Sequence, residues 1–323
     1  MTAHLVIGAD CGGTQVKYVV TTTDGDDLGQ GRVATDPDNP EATFQRLATE
    51  ITASLGCDAT TRIEAVGLAC AGIVTPDSGH LGRSPNLPGW QGSFLADSVG
   101  QAFPDVPAVF ANDVNAALFG EWRLGAGRGC HDLVMIALGT GVGGGVIVNG
   151  QLVIGSRHGA GEIGHTVLDR NGPECTCGNR GCLEAYAGSW ALLRRARELA
   201  AETDATAAFR QLVQHDPDGL DTAALYGLAQ RGDDSARSLF QAAGRWLGHA
   251  VANLVNVLDP ERVIIGGGVA QAGELILAPC REVVREYVLA EASRDLPIVP
   301  AALGPFAASQ GAAAMARERM GPA

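Results

Sequence analysis

No stretch of this 323-residue chain joins the length and the unbroken apolar character of a membrane span. The apolar run from Leu133 to Val148 is interrupted by Gly and Thr and is too short to cross a bilayer. The opening residues, MTAHLVIGADCGGT, lack the basic region of a secretory signal and reach Asp10 too early for one. The expectation is a cytoplasmic protein with no membrane partner. Positive charge is scarce: 23 Lys and Arg against 36 Asp and Glu leave a net charge of −13. A field of that sign repels phosphate backbones, which disfavours nucleic acid as a partner. It does not exclude a nucleotide, because a nest of backbone N–H groups binds phosphate locally. Despite 44 glycines there is no collagen period, and no Pro/Ser-rich linker divides the chain. A hydrophobic content of 46% excludes disorder. The length allows one large domain or two of ordinary size.

The organisation reads as a repeat. HLVIGADCGGTQVKYVVTTTDGDDLG is strand, Gly/Thr turn, strand, then a hairpin at Asp24-Gly25. DLVMIALGTGVGGGVIVNGQL has the same grammar and closes at Asn149-Gly150. The spacing predicts a helix over 40–55 with Phe44, Leu47, Ile51 and Leu55 on one face. IEAVGLACAG and AVFAND read as strands, FLADSVGQAF and VNAALFGEW as helices. The second half is mostly helical, over 189–201, 221–231, 233–258, 272–290 and 306–319, with strands at RVIIGGGVA and near Ile298. The apolar stripe of the long helix, from Leu239 and Phe240 to Leu254 and Val255, stops at Asp259-Pro260. Strands alternating with helices imply α/β layers around largely parallel or mixed sheets.

ECTCGNRGCLEA crowds Cys175, Cys177 and Cys182 into eight positions, and with His165 gives His-x9-Cys-x-Cys-x4-Cys. A reducing compartment disfavours disulfides. Three thiolates and an imidazole fill the tetrahedral shell of a structural zinc, and a metal would hold a segment that has little apolar content of its own. The alternative is a polar loop with free thiols. Cys11, Cys57, Cys70, Cys130 and Cys280 are scattered and read as small core residues. Glu162 and Glu184 flank the cluster and are either acceptors for a polyhydroxyl ligand or surface residues.

DCGGT and LGTGVGGG follow apolar strands and could cradle phosphate, though neither is a Walker A motif. A third run, Gly266-Gly267-Gly268, could lie against a base. Asn112 and Asp113 sit where a strand passes into a helix. A carboxylate there can act as a general base in phosphoryl transfer, or can simply cap the helix. Asn86 in SPNLPGW is a turn former or a sugar ligand.

Taken together, DCGGT…K, ND at 112–113, LGTGVGGG, GEIGH and CTCGNRGCLEAYAG resemble, in order and spacing, the ROK family of bacterial sugar kinases and repressors. The similarity is greatest to its ATP-dependent glucokinases. The resemblance implies a two-domain α/β fold of the actin-like ATPase (ribonuclease H-like) type, with an interdomain cleft and a small zinc-binding loop. The smaller domain would span 1–118 and the larger 119–305, with the helix in 306–323 packing back on the first. It implies Asp113 as the base acting on a sugar 6-hydroxyl, and Asn86, Asn112, Asp113, Glu162, His165 and Glu184 as hexose-binding residues. His165, Cys175, Cys177 and Cys182 would hold structural zinc. Asp10, Gly12, Gly13 and Thr14 would form the first phosphate loop and Gly139, Thr140 and Gly141 the second. Gly266, Gly267 and Gly268 would face adenosine, and Mg²⁺ would accompany ATP. Ala71-Gly72 stands where relatives often carry Pro-Gly.

The implied activity is transfer of the γ-phosphoryl group of ATP to the 6-hydroxyl of a hexose, glucose foremost. Fructose, mannose, N-acetylmannosamine, N-acetylglucosamine or another amino sugar are the alternatives. A homodimer or homotetramer is expected. A sugar-sensing repressor of the same family would carry a helix-turn-helix domain ahead of Asp10, for which the sequence shows no room.

Overall fold

The computed structural model describes residues 4–55, 62–215 and 219–321. Its strands are β1 (His4–Cys11), β2 (Gln15–Thr22), β3 (Asp27–Ala34), β4 (Arg62–Cys70), β5 (Ala108–Asn112), β6 (Leu133–Leu138), β7 (Val142–Val148), β8 (Gln151–Leu152), β9 (Arg262–Gly266) and β10 (Ile298–Pro300). Its helices are α1 (Pro40–Leu55), α2 (Leu95–Ala102), α3 (Asp113–Arg123), α4 (Glu184–Ala187), α5 (Ser189–Ala201), α6 (Ala207–His215), α7 (Thr222–Gln230), α8 (Asp234–Leu258), α9 (Glu274–Tyr287) and α10 (Ala307–Met320). The chain forms two compact units. The first comprises 1–129, 154–160 and 302–323, and the second 130–153 and 161–301. A boundary after residue 118 would fall inside α3, which continues to Arg123.

The first sheet has the order β3-β2-β1-β4-β5, and the second β10-β9-β6-β7-β8. In the first, β1 pairs antiparallel with β2 and parallel with β4, and β4 pairs parallel with β5. In the second, β6 pairs antiparallel with β7 and parallel with β9, and β9 pairs parallel with β10. Matched strand for strand, the two sheets have one topology, so the repeated strand–turn–strand grammar is a repeat of fold.

In the first unit, Phe44, Leu47 and Ile51 of α1 are buried against the sheet, with Phe44 5.6 Å from Trp90. Of Leu55 only the backbone is described. The helix α10 covers β1 and β4 and packs along α3. Its sequence, AASQGAAAMARERM, explains the fit, because a ridge of Ala and Gly lets backbones meet. A Cβ at Gly67 of β4 would collide with the Ala312 carbonyl.

In the second unit, Leu239, Phe240, Ala243, Leu247, Val251 and Val255 of α8 are buried, and Leu254 packs partly buried against the same core. Asp233 caps the helix by accepting from the Ala236 N–H at 2.9 Å. Asp259 ends it in the left-handed conformation at φ 45°. The short helices α4 and α6 add to those read from the sequence. Cys11, Cys70 and Cys280 are buried, whereas Cys130 is only half-buried; Cys57 lies outside the described residues.

Candidate active site

In the first unit, the carboxyl ends of β1, β4 and β5 bring together Asp10, the turn 12–14, Asn112 and Asp113. The register pairs Cys11 with Cys70 and Cys70 with Asn112, so Asp10 and Asn112 lie about 10 Å apart across two strand spacings. The turn is tied by the Gly12 N–H to the Gln15 carbonyl at 3.2 Å and by the Thr35 hydroxyl to the Gly12 carbonyl at 2.7 Å. Gly13 packs on the backbone of Asn86, where a Cβ would crowd the Asn86 carbonyl, and Asn86 and Thr14 are exposed. Asp10 sits 3.3 Å from the Lys17 ammonium. Burial holds its pKa above the ordinary carboxylate value, with the charge and hydrogen bond of Lys17 working against that.

The sequence left two roles open at 112–113, and the structure gives the capping role to Asn112. Its Oδ1 accepts from the Val114 and Asn115 N–H groups at 2.9 and 3.1 Å, and its Nδ2 donates to the Gly72 carbonyl at 3.1 Å. Asp113 follows at the first helical position of α3, with Oδ1 3.0 Å from the Val114 N–H. Beneath lie the buried thiols of Cys11 and Cys70. Burial pushes both pKa values up, and for Cys70 the carboxylates of Asp113 and Asp10 add to it. These thiols stay protonated and act as packing.

In the second unit, the donor atoms of His165, Cys175, Cys177 and Cys182 all lie within 4.8 Å of one another. The Cys177 and Cys182 sulfurs are 3.7 Å apart, and the Cys175 sulfur is 3.7 Å from His165 Nδ1. A tetrahedral ion with metal–sulfur bonds of about 2.3 Å separates its sulfur ligands by about 3.8 Å. The spacing and the donor chemistry are compatible with zinc. Nδ1 as ligand would leave the proton on Nε2, available for a hydroxyl oxygen. The hairpin closes at Gly181, whose φ is +69° and where a Cβ would collide with the Asp169 carbonyl. Burial pushes the Cys182 thiol up to about 12, with the neighbouring thiols of Cys177 and Cys175 adding to it. Burial also raises Cys175. At Cys177 burial is outweighed by hydrogen bonds from the Asn179 backbone, Cys175 and Cys182, and its pKa is lowered.

The same unit packs the hairpin against the second glycine turn. Of LGTGVGGG, only Gly139–Gly141 forms a turn, closed by the Gly139 N–H on the Gly141 carbonyl at 2.9 Å; residues 143–145 belong to β7. Their missing side chains let the 161–165 segment lie on that strand: a Cβ at Gly144 would meet the Ile163 side chain. Gly267 lies against the Leu138 carbonyl, which sets the third glycine run beside the second, and Gly267 and Gly268 are exposed. Glu162 is exposed, and Glu184 is 6% exposed. The Glu184 carboxylate accepts from the Val142 N–H and the Thr176 hydroxyl, each at 2.9 Å. The sequence reading missed Thr176, which hides between two cysteines.

A model of the ROK family matches residues 6–319. A glucokinase of Thermotoga maritima is 35% identical over 319 residues, covering 98% of both chains. A kanosamine kinase of Amycolatopsis mediterranei is 33% identical over 256 residues, covering 79% of this chain and 78% of that one. The crystal structure of a ROK family glucokinase from Streptomyces griseus in complex with glucose and AMPPNP superimposes with a TM-score of 0.81 at 36% identity, covering 97% of this chain and 99% of that one. The two-sheet α/β fold is the one seen in this glucokinase structure. Among the described residues, no helix is long and apolar enough to cross a membrane.

Proposed function

This chain belongs to the ROK family, and we propose that it is a cytoplasmic, ATP-dependent hexose kinase that phosphorylates the 6-hydroxyl of glucose. The observation that carries the reading is the division of labour at 112–113. With Asn112 capping α3, the Asp113 carboxylate stands at the helix start, at the carboxyl end of β5, in the same unit as the first glycine turn. In the proposed reaction Asp113 accepts the proton of the sugar hydroxyl as its oxygen attacks the γ-phosphorus. The turns at Gly12–Thr14 and Gly139–Gly141 offer backbone N–H groups to phosphate oxygens, and Gly266–Gly268 a flat surface to adenine. Asp10 would meet the Mg²⁺ that accompanies ATP.

The sugar ligands in this reading are Asn86, Asn112, Glu162, His165 and Glu184. Glu184 Oε2 accepts from the Val142 N–H and retains a second lone pair for a hydroxyl, whereas Oε1 faces both the Thr176 hydroxyl and the Cys175 thiol. Zinc bound by His165, Cys175, Cys177 and Cys182 would fix the ring of His165; its closed shell supplies no chemistry of its own. A homodimer or homotetramer is the proposed assembly.

A coupled ADP assay over a panel of hexoses and amino sugars, with ATP and Mg²⁺, tests the acceptor. Glucose should give the highest kcat/KM. The similarity to a kanosamine kinase supports an amino sugar as the second reading, and a higher kcat/KM on an amino-sugar acceptor would move the assignment to it.

A further inference from the structure

Glu184 and Thr176 make a physical link that a role in sugar binding does not require. Thr176 lies between two of the thiol ligands, and its hydroxyl donates to Glu184 Oε1 at 2.9 Å. The other oxygen of the same buried carboxylate accepts from the N–H of Val142, the residue that follows the Gly139–Gly141 turn. The Cys175 sulfur lies 3.7 Å from Oε1. Five residues on, the Ser189 N–H at the start of α5 donates to the Gly139 carbonyl at 2.9 Å. The segment 184–189 thus grips the glycine turn at both ends, and Thr176 fixes the carboxylate that makes one of the two grips. Gly141 is pressed so close to Glu184 Oε2 that a Cβ there would collide with it.

We propose that Thr176 is a positioning residue for nucleotide: through Glu184 it locks the second glycine turn to the metal-binding hairpin, so that the order of the hairpin sets ADP and ATP affinity. The proposal rests on reading Gly139–Gly141 as a phosphate turn. The physical reason is the asymmetry of buried hydrogen bonds. A carboxylate oxygen that loses its hydroxyl partner is left under-solvated and reorients, and the Val142 N–H then loses its fixed acceptor.

The test uses the full chain with its metal. Thr176→Val removes the hydroxyl and keeps the shape, and Thr176→Ser restores the hydroxyl. Mg·ADP binding is measured by calorimetry without sugar, zinc per chain by elemental analysis, and hydrogen exchange on peptides spanning 138–143. We expect Thr176→Val to bind ADP about five- to tenfold more weakly, with unchanged zinc and faster exchange at Val142, and Thr176→Ser to stay within twofold of the parent protein. ADP affinity and Val142 exchange both unchanged in Thr176→Val would overturn the link. Metal removal by a chelator supplies a second arm: it should weaken ADP binding in the parent protein more than in Thr176→Val, and equal weakening in both contradicts the proposal. If the parent protein binds no ADP at all, the kinase reading fails, while the exchange arm still decides whether the link exists.

Discussion

Glu121 offers a prediction whose size can be worked from contacts. It lies on α3, eight residues after Asp113, and is 0% exposed. Its Oε2 accepts from the Ala126 N–H at 2.8 Å, and its Oε1 from the Ala302 and Leu303 N–H groups, both at 2.8 Å. One carboxylate therefore ties the segment leaving α3 to the segment leading into α10. Glu121→Gln keeps the shape but leaves only one oxygen. Whichever way the amide turns, its NH₂ faces at least one backbone N–H. Hydrogen bonds to a charged group contribute about 1.5–3 kcal/mol each and neutral ones about 1 kcal/mol. Losing one and weakening two predicts about 2.5–7 kcal/mol of destabilisation. Urea unfolding followed by fluorescence measures it, with Trp90 and Trp122 reporting on this unit. A change below about 1 kcal/mol would refute the idea that this carboxylate organises the base of α3.

Asp113→Asn should lower kcat by about 10²–10⁴-fold, the usual worth of a general base, while the far-ultraviolet circular dichroism is unchanged; near-normal turnover would remove the base assignment. Gently purified protein should carry one zinc per chain, and Cys182→Ser should weaken zinc retention by more than the ~10–100-fold of an outer-shell change, read by competition with a chromogenic chelator. Lys17→Met should act in a pH-dependent way. Burial already raises Asp10 above its unfolded value against the pull of Lys17, so folding favours its protonated form, and that contribution is present at low pH and lost as pH rises through the folded pKa. Removing Lys17 pushes Asp10 further up. The stability deficit of the variant should therefore be largest near neutral pH and shrink toward acid, measured by urea midpoints between about pH 3 and pH 8. A deficit of constant size across that range would contradict it.

Much of the fold was legible because long elements declare their period. The helices over 40–55 and 233–258 carry unbroken apolar stripes, and the two strand–turn–strand units share a grammar that the sheets repeat strand for strand. The helix α6 was not legible, since nine residues that bury only Phe209 and Val213 give too few turns for a stripe. LGTGVGGG reads as one loop, yet residues 143–145 are strand, because the 161–165 segment needs bare backbone to lie on. Sequence spacing named the four zinc candidates because ligands of one site sit close along the chain. It could not name Glu121, a helical glutamate two of whose three backbone partners lie some 180 residues away, nor decide which of Asn112 and Asp113 caps α3. Thr176 carries no signal of its own beside three cysteines.

The central claim is that Asp113 readies a sugar hydroxyl for attack. A crystal structure of the protein with glucose tests it most directly. The account predicts the 6-hydroxyl within hydrogen-bond reach, about 2.6–3.2 Å, of the Asp113 carboxylate. A glucose ring lodged away from Asp113, or one presenting a different hydroxyl to it, would contradict the account.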